Sequence, residues 1–298
     1  GVEVRENYDE EKDIRTTVVK ITTENGAKAM GRPQGNYITI EAPGLSMPDE
    51  DYHREISREI ATHLRNLISL ERETSILVAG LGNSAITADS LGPHVVENLR
   101  ITRHMIKEYG LKSLGKEQMH RISGIIPGVM AQTGMETSEI LKGIVAETRP
   151  DVVIAIDALA ARNTKRLNRT IQVTDTGINP GSGRGNQRHA LNEKSIGVPV
   201  VAIGIPTVVD AATIVNDTMY NLIMAMNQDR DLRTIGHSLG NLNEAEKYEL
   251  IRELLSPNLN TMFVTPKDID ESVKRLSYTI SEALNIAFVD RNIFENQE

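Results

Sequence analysis

Short apolar runs without polar alternation recur along the middle of the chain. They occupy residues 75–80, 152–157, 170–174 and 199–204. Runs of this kind are typical of strands that are buried on both faces of a sheet. Amphipathic segments with helical spacing lie between and after them, at 91–109, 136–147 and 208–226. The succession predicts βα units and an α/β fold with a mostly parallel central sheet flanked by helices.

Both ends of the chain carry other patterns. Residues 16–22 and 36–41 are β-branched and alternating, so they predict an antiparallel pair or two edge strands within a β-rich segment at 1–45. A helix is expected at 48–70, a polar loop at 227–241, and helices at 243–255 and 267–287 within the C-terminal segment 243–298. We interpret residues 1–298 as one α/β domain with these two attachments.

Composition narrows the classes of function. The formal net charge of −8 gives no electrostatic reason to expect nucleic acid as a partner. Since the chain has no cysteine, disulfides, thiolate metal ligands and a cysteine nucleophile are excluded. No run approaches the ~20 apolar residues that span a bilayer, and the first residues do not resemble a secretory signal. We therefore expect a soluble cytoplasmic protein that does not bind a membrane.

Two carboxylates follow buried strands, and they are the strongest candidates for catalysis. Asp89 comes after the run at 75–80, and Asp157 closes the run at 152–157. The carboxyl ends of strands in an open α/β sheet form the usual ligand crevice. Two acids that share a site do not easily ionise together, so one can donate a proton while the other activates water. The structural alternative is that each aspartate only caps a following helix.

Other chemistry has weaker support in the sequence. Gly80, Gly82 and Ala85 fit a dinucleotide-binding turn, but the next helix is predicted to start only near residue 90. A metal held by the same acids and a histidine is a further alternative, with His189 nearest to a predicted strand end. The glycine-rich segment 174–186 is expected to be a substrate strap on the same rim, where Asp175 and Asp210 add further acids. No G-x-S-x-G motif is present, so a serine triad has no anchor.

Several long strings resemble the germination protease family of spore-forming bacteria. They are GLGNSAITADSLGP, IPGVMAQTGMETSEI, IAIDALAAR, DTGINPGSGRGN and VPVVAIGIPTVVDA, in this order along the chain. The likeness covers residues 18–218 and resumes at LNTMFVTPKDID. The resemblance implies a peptidase whose acidic pair matches Asp89 and Asp157. It also implies a fold similar to the hydrogenase maturation proteases, whose Gly-Asn turn is matched by Gly82 and Asn83.

The resemblance also sets expectations about substrate and assembly. Family members degrade small acid-soluble spore proteins during germination by cutting after glutamate, so a basic lining is expected, with Arg162 and Arg184 as candidates. They are made as zymogens, and Gly1 matches the start of a processed form. They form homotetramers in the spore interior. We expect no cofactor, because no histidine matches the one with which the related proteases hold a metal, although a divalent ion on the two acids stays open.

Overall fold

A computed structural model describes residues 1–71, 73–114, 116, 118–180, 189–229, 231–234, 243–255, 259 and 262–289. In this part of the chain, nine strands form a single sheet. They are β1 (Val2–Asp9), β2 (Ile14–Ile21), β3 (Gly35–Glu41), β4 (Ser75–Gly80), β5 (Arg121–Ile125), β6 (Val152–Ala161), β7 (Thr170–Thr174), β8 (Val200–Asp210) and β9 (Phe263–Val264). Their order is β1-β2-β3-β7-β8-β6-β4-β5, and β9 pairs with β8.

The sheet is mixed, and the prediction of a mostly parallel sheet is wrong for its N-terminal half. Strands β5, β4, β6 and β8 are mutually parallel, whereas β7 runs antiparallel to both β8 and β3. The reason lies in the connection: only residues 162–169 link β6 to β7. A parallel crossover needs a dozen or more residues, so this short link turns the chain back. The predicted antiparallel pair at 16–22 and 36–41 is confirmed as β2 and β3.

Helices cover both faces of the sheet. They are α1 (Glu24–Met30), α2 (Glu50–Leu67), α3 (Leu91–Glu97), α4 (Arg103–Ser113), α5 (Met130–Thr133), α6 (Thr137–Thr148), α7 (Glu193–Ile196), α8 (Ala211–Gln228), α9 (Glu244–Leu254) and α10 (Ile269–Phe288). The helix predicted at 91–109 is divided into α3 and α4 by residues 98–102. The one predicted at 208–226 begins later, because β8 continues to Asp210. The loop predicted at 227–241 starts inside α8, and its residues 235–241 lie outside the described residues.

The alternation of side chains in β6 separates two hydrophobic cores. Ile154 and Ile156 join the larger core, which includes buried residues of α2, α3 and α10. Val153 and Ala155 join the second core, which α6 and α7 cover. Because successive side chains of a strand point to opposite faces, Asp157 continues the second face. Among the described helices, none combines the length and the apolar character that a membrane span requires.

Candidate active site

The turn that follows β4 can be made only by glycine. Leu81 N still donates to Ile156 O (2.8 Å), so the chain stays beside β6 for one more residue. Gly82 then takes a φ of +114°, and a Cβ on it would lie 2.0 Å from the carbonyl oxygen of Asp89. An L side chain is strained in that conformation and has no room there. The glycine therefore brings the residues after β4 against Asp89.

Asp89 ends a short 3-10 helix (Thr87–Asp89) that crosses above the ends of the parallel strands. Its Oδ2 accepts a hydrogen bond from the backbone N–H of Asn83 (2.9 Å). The preceding residue is anchored from the sheet, since the buried hydroxyl of Thr207 donates to Ala88 O (2.5 Å). The N-cap of α3 is Ser90. Asp89 is therefore not the cap of that helix, and its carboxylate is held by the Gly82–Asn83 turn instead.

Asp157 lies within β6 and is not a helix cap either. Its residue is only 7% exposed, although an ionised group is costly to bury. It pairs with Gly204 of β8 on one side. On the other side lies the end of β4, whose last residue, Gly80, pairs with Ile156. The next residue, Leu81, therefore lies beside Asp157. The segment 81–83 thus lies beside Asp157 through Leu81 and bonds Asp89 through Asn83, which is how the fold brings the two predicted acids to one turn.

Two supporting residues were missed by the sequence analysis. The side-chain oxygen of Asn83 accepts from Gln132 Nε2 (3.0 Å) as well as from Ala85 N (3.0 Å). Gly92 allows α3 to approach the same place, because a Cβ there would lie 2.5 Å from both Ile156 O and the backbone of Leu81. In the sequence, the close approach at Gly92 is indicated only by the dipeptide Leu-Gly at the predicted start of a helix. Gln132 has none, since it reaches the turn from a distant helix, α5.

The glycine-rich segment does not start on the rim where it was predicted. Since β7 is antiparallel, Thr174 pairs with Ala202 near the beginning of β8, so the chain leaves β7 toward the amino ends of the parallel strands and away from Asp157. There Asp175 accepts hydrogen bonds from the backbone and side chain of Asn36 (2.7 and 2.6 Å). The segment's residues 181–188, including Arg184, lie outside the described residues.

Two further candidates, Arg162 and Asp210, lie at the carboxyl ends of β6 and β8, as predicted. Arg162 is exposed and directly follows the end of β6. Asp210 is the last residue of β8 and caps α8 by accepting from Thr213 N (2.6 Å), so its role is structural. The same carboxylate accepts from the Tyr248 hydroxyl (3.1 Å). Burial and the neighbouring charge of Asp210 together raise the pKa of Tyr248.

A metal ion on the two aspartates would need further side-chain ligands. In the described part of the chain, no three histidine, aspartate or glutamate side chains converge on one point. His94, on α3, pairs instead with Glu97 (2.8 Å), and His189 is exposed. The described histidine, aspartate and glutamate side chains therefore supply no third ligand of this type next to the two aspartates.

Comparison with known proteins places this arrangement in a family. The family model described as germination protease matches residues 1–238 and 224–298. The chain belongs to the germination protease family. It is 47% identical to the germination protease of Caldanaerobacter subterraneus subsp. tengcongensis, over 96% of this chain and 88% of the relative. Identity is 45% to the Clostridium tetani protein over the same shares, and 38% to the Bacillus subtilis protein over 99% and 89%. Membership confirms the resemblance seen in the sequence and supports a peptidase of spore germination.

Proposed function

We propose that this member of the germination protease family is an endopeptidase in which water is activated between Asp89 and Asp157. The observation that carries the proposal is the shared turn: segment 81–83 bonds the carboxylate of Asp89 and lies beside Asp157. The acids come from different strand ends, and neither caps a helix. Family membership favours peptide hydrolysis over the dinucleotide-binding alternative.

The two environments suggest different roles. The backbone N–H of Asn83 holds Asp89 Oδ2 in place, and Asp89 is the less buried of the two acids, so we assign it as the base that removes a proton from water. Asp157 is more deeply buried, and we assign it as the proton donor. In this scheme water attacks the peptide carbonyl carbon, Asp89 takes the water proton, and Asp157 donates its own proton to the carbonyl oxygen. The proton held by Asp89 then passes to the leaving nitrogen, the C–N bond breaks, and one hydroxyl of the intermediate returns a proton to Asp157 as the carboxyl product forms.

The proposed substrates are small acid-soluble spore proteins, cut after glutamate. An extended, poorly structured chain fits an open rim between strand ends better than a folded protein does. The glutamate before the scissile bond calls for a cation near the site. Arg162 lies on the correct edge, at the end of β6, and stays our candidate for that contact; Arg184 stays a second one.

The decisive experiment replaces each acid by its amide. Asp89→Asn and Asp157→Asn should each lower kcat/KM by roughly 10²–10⁴-fold, because each removes one proton-transfer group. Cleavage is measured on a peptide with a single glutamate, with the cut bond identified by mass spectrometry. Asp151→Asn is the matched control: Asp151 accepts from Ser75 N (2.6 Å) at the opposite end of β4. It should keep wild-type activity, because the amide oxygen can still accept that bond.

Full activity in either active-site variant, with unchanged melting temperature, would refute the acid pair. A chelator arm tests the metal-dependent alternative separately. If activity is lost with chelator and restored by one divalent ion, the aspartates act as ligands and not as proton carriers. If activity is unchanged by chelator, the proton-transfer scheme stands.

We also propose that the chain acts as a homotetramer. Helix α8 leaves several large apolar side chains exposed, among them Tyr220, Leu222 and Met224, and Leu254 of α9 is exposed as well. Large apolar side chains that are left exposed in this number are typical of an interface. Sedimentation equilibrium should give four times the monomer mass, and Leu222→Glu should lower that mass. A wild-type monomer at micromolar concentration would contradict the proposal.

A further inference from the structure

Strand β1 forms one open edge of the sheet. It pairs with β2 on one side, and no strand of the described chain pairs with it on the other. Its register with β2 is unbroken over the whole strand, which contains neither a bulge nor a proline. Every residue of β1 except Asp9 is exposed. Such an edge presents a row of backbone N–H and C=O groups with which a further strand can pair.

The hydrogen bonds to β2 decide which residues present these groups. Thr22 N donates to Gly1 O (2.9 Å), just beyond the pair formed by Val2 and Ile21. Hydrogen-bonded pairs alternate with non-hydrogen-bonded pairs along two antiparallel strands. The odd-numbered residues of β1 therefore bond β2, and the even-numbered ones direct their N–H and C=O groups to the open edge. A further antiparallel strand must form its hydrogen-bonded pairs with the even-numbered residues.

The side chains give the two faces of this edge different characters. Val4 is 63% exposed and lies opposite Val19 of β2, which in turn lies opposite Tyr37 of β3. These three side chains form an apolar row that runs across the strands to the open edge. The other face carries Glu3 and Arg5, which are exposed and form no ion pair with another described residue. The edge thus offers one apolar position between two charges of opposite sign.

We propose that β1 pairs antiparallel with β1 of a second copy of this chain, about a twofold axis at Val4. In this register Val4 lies opposite its own counterpart, so the apolar row continues across the axis into the second copy. Glu3 of each copy lies opposite Arg5 of the other, and the two charge pairs are equivalent by symmetry. About six backbone hydrogen bonds would form, because residues 2–6 of the two strands overlap.

Charge selects this register among those that the hydrogen bonds allow. An axis at Arg5 would place two arginines opposite each other, and an axis at Glu3 would do the same with two glutamates. An axis at Glu6 would oppose two glutamates and would also place Glu3 opposite Asp9. Like charges directly opposite each other are destabilising. An axis at residue 7 would overlap only residues 5–9 and leave the apolar row open.

The contact at β1 deepens the proposed homotetramer and rests on it for the number of copies. Strand β8, from whose end α8 leaves, is separated from β1 by the three strands β2, β3 and β7. The β1 edge and the exposed face of α8 are therefore different surfaces. Two different twofold contacts are what a tetramer of D2 symmetry needs. Leu222→Glu should then leave a dimer held by β1, and adding Val4→Pro should give monomers.

Three variants test the contact in the full chain by sedimentation equilibrium. Val4→Pro removes one outward donor from each copy without breaking a bond to β2, and it should weaken the contact about tenfold or more. Arg5→Glu and Glu3→Arg each create two like-charge pairs at the axis, so each should weaken it similarly when alone. An equimolar mixture of these two charge variants should restore the contact, because the facing positions again carry opposite charges. A loss caused by misfolding would not be restored by mixing.

Crosslinking locates the axis, since the chain has no cysteine of its own. Two Val4→Cys chains would place their Cα atoms about 5.5 Å apart, within the range of a disulfide, so oxidised glutathione should link them. Tyr8→Cys is the matched control: Tyr8 is exposed on the same face, but its two copies would lie about 27 Å apart.

The proposal is overturned if Val4→Pro leaves the assembly unchanged, if the mixture of charge variants does not reassociate, or if Val4→Cys links no faster than Tyr8→Cys. Failure of the proposed homotetramer would appear differently. A wild-type dimer that Val4→Pro converts to monomers would keep the β1 contact and remove the tetramer.

Discussion

Replacing Gly82 by alanine should damage both stability and catalysis. The added Cβ would lie 2.0 Å from Asp89 O, and ordinary contacts of this kind begin near 3.4 Å, so one of the two must move by more than 1 Å. The backbone conformation adds about 1–3 kcal/mol for a non-glycine residue, and the overpacking adds about the same. A total of about 2–6 kcal/mol corresponds to a fall in Tm of roughly 10 °C in a chain of this size.

The fall in kcat/KM should be larger than the loss of folded protein alone would cause. The same displacement moves Asp89 and the Asn83 N–H that bonds its carboxylate, and a misplacement of about 1 Å can cost about 10²-fold in rate. We expect kcat/KM on the single-glutamate peptide to fall by that factor, measured below the Tm of the variant and corrected for the folded fraction. Both kcat/KM and Tm must be measured, because unfolding alone would lower activity only at temperatures near the Tm.

The control is Gly143→Ala in α6, where a Cβ would meet no atom within 4 Å. Alanine is favoured over glycine in a helix by roughly 0.5–1 kcal/mol, so this variant should be slightly more stable and fully active. If Gly82→Ala retains kcat/KM within twofold of wild type while Gly143→Ala behaves as expected, then the close approach of Gly82 to Asp89 does not position the site.

Three further predictions concern the support of the site and the response to pH. Thr207→Val removes the buried hydroxyl that donates to Ala88 O and should lower the free energy of unfolding by about 1–3 kcal/mol, measured by urea titration. Gln132→Ala removes an exposed hydrogen bond to Asn83, so we expect a severalfold lower kcat/KM with a stability change below about 0.5 kcal/mol; an unchanged rate would contradict a positioning role. Burial, with a contribution from the charge of Arg275, lowers the pKa of His53 below its ordinary value of 6.5. The neutral imidazole therefore contributes stability above that value, and the contribution is lost as pH falls toward the folded pKa. The Tm advantage of wild type over His53→Gln should narrow from pH 7.5 to 5, and a constant difference would disprove this assignment.

The pattern of the sequence located most of the strands but not all of them. The buried runs at β4, β6, β7 and β8 were found because strands covered on both faces are continuously apolar. Strand β1 was missed, since it lies at the edge of the sheet, is exposed along nearly its whole length and carries charged residues. The end of β8 was also missed, because its last apolar residues read equally well as the start of the amphipathic helix that follows.

The sequence by itself identified the glycine turn and the family and proposed the two candidate acids, because each of these depends on short stretches of neighbouring residues. The tertiary structure decided where those residues lie in relation to one another. The short link between β6 and β7 reversed β7, so Asp175 follows β7 on the side of the amino ends of the parallel strands, and no local pattern encodes that reversal. The position of the turn depends on strand register in the same way. Strand β4 ends at Gly80, which pairs with Ile156, so the turn begins beside Asp157, and Asn83 of that turn bonds Asp89. Strand register is a property of paired strands, and so it is absent from either segment alone.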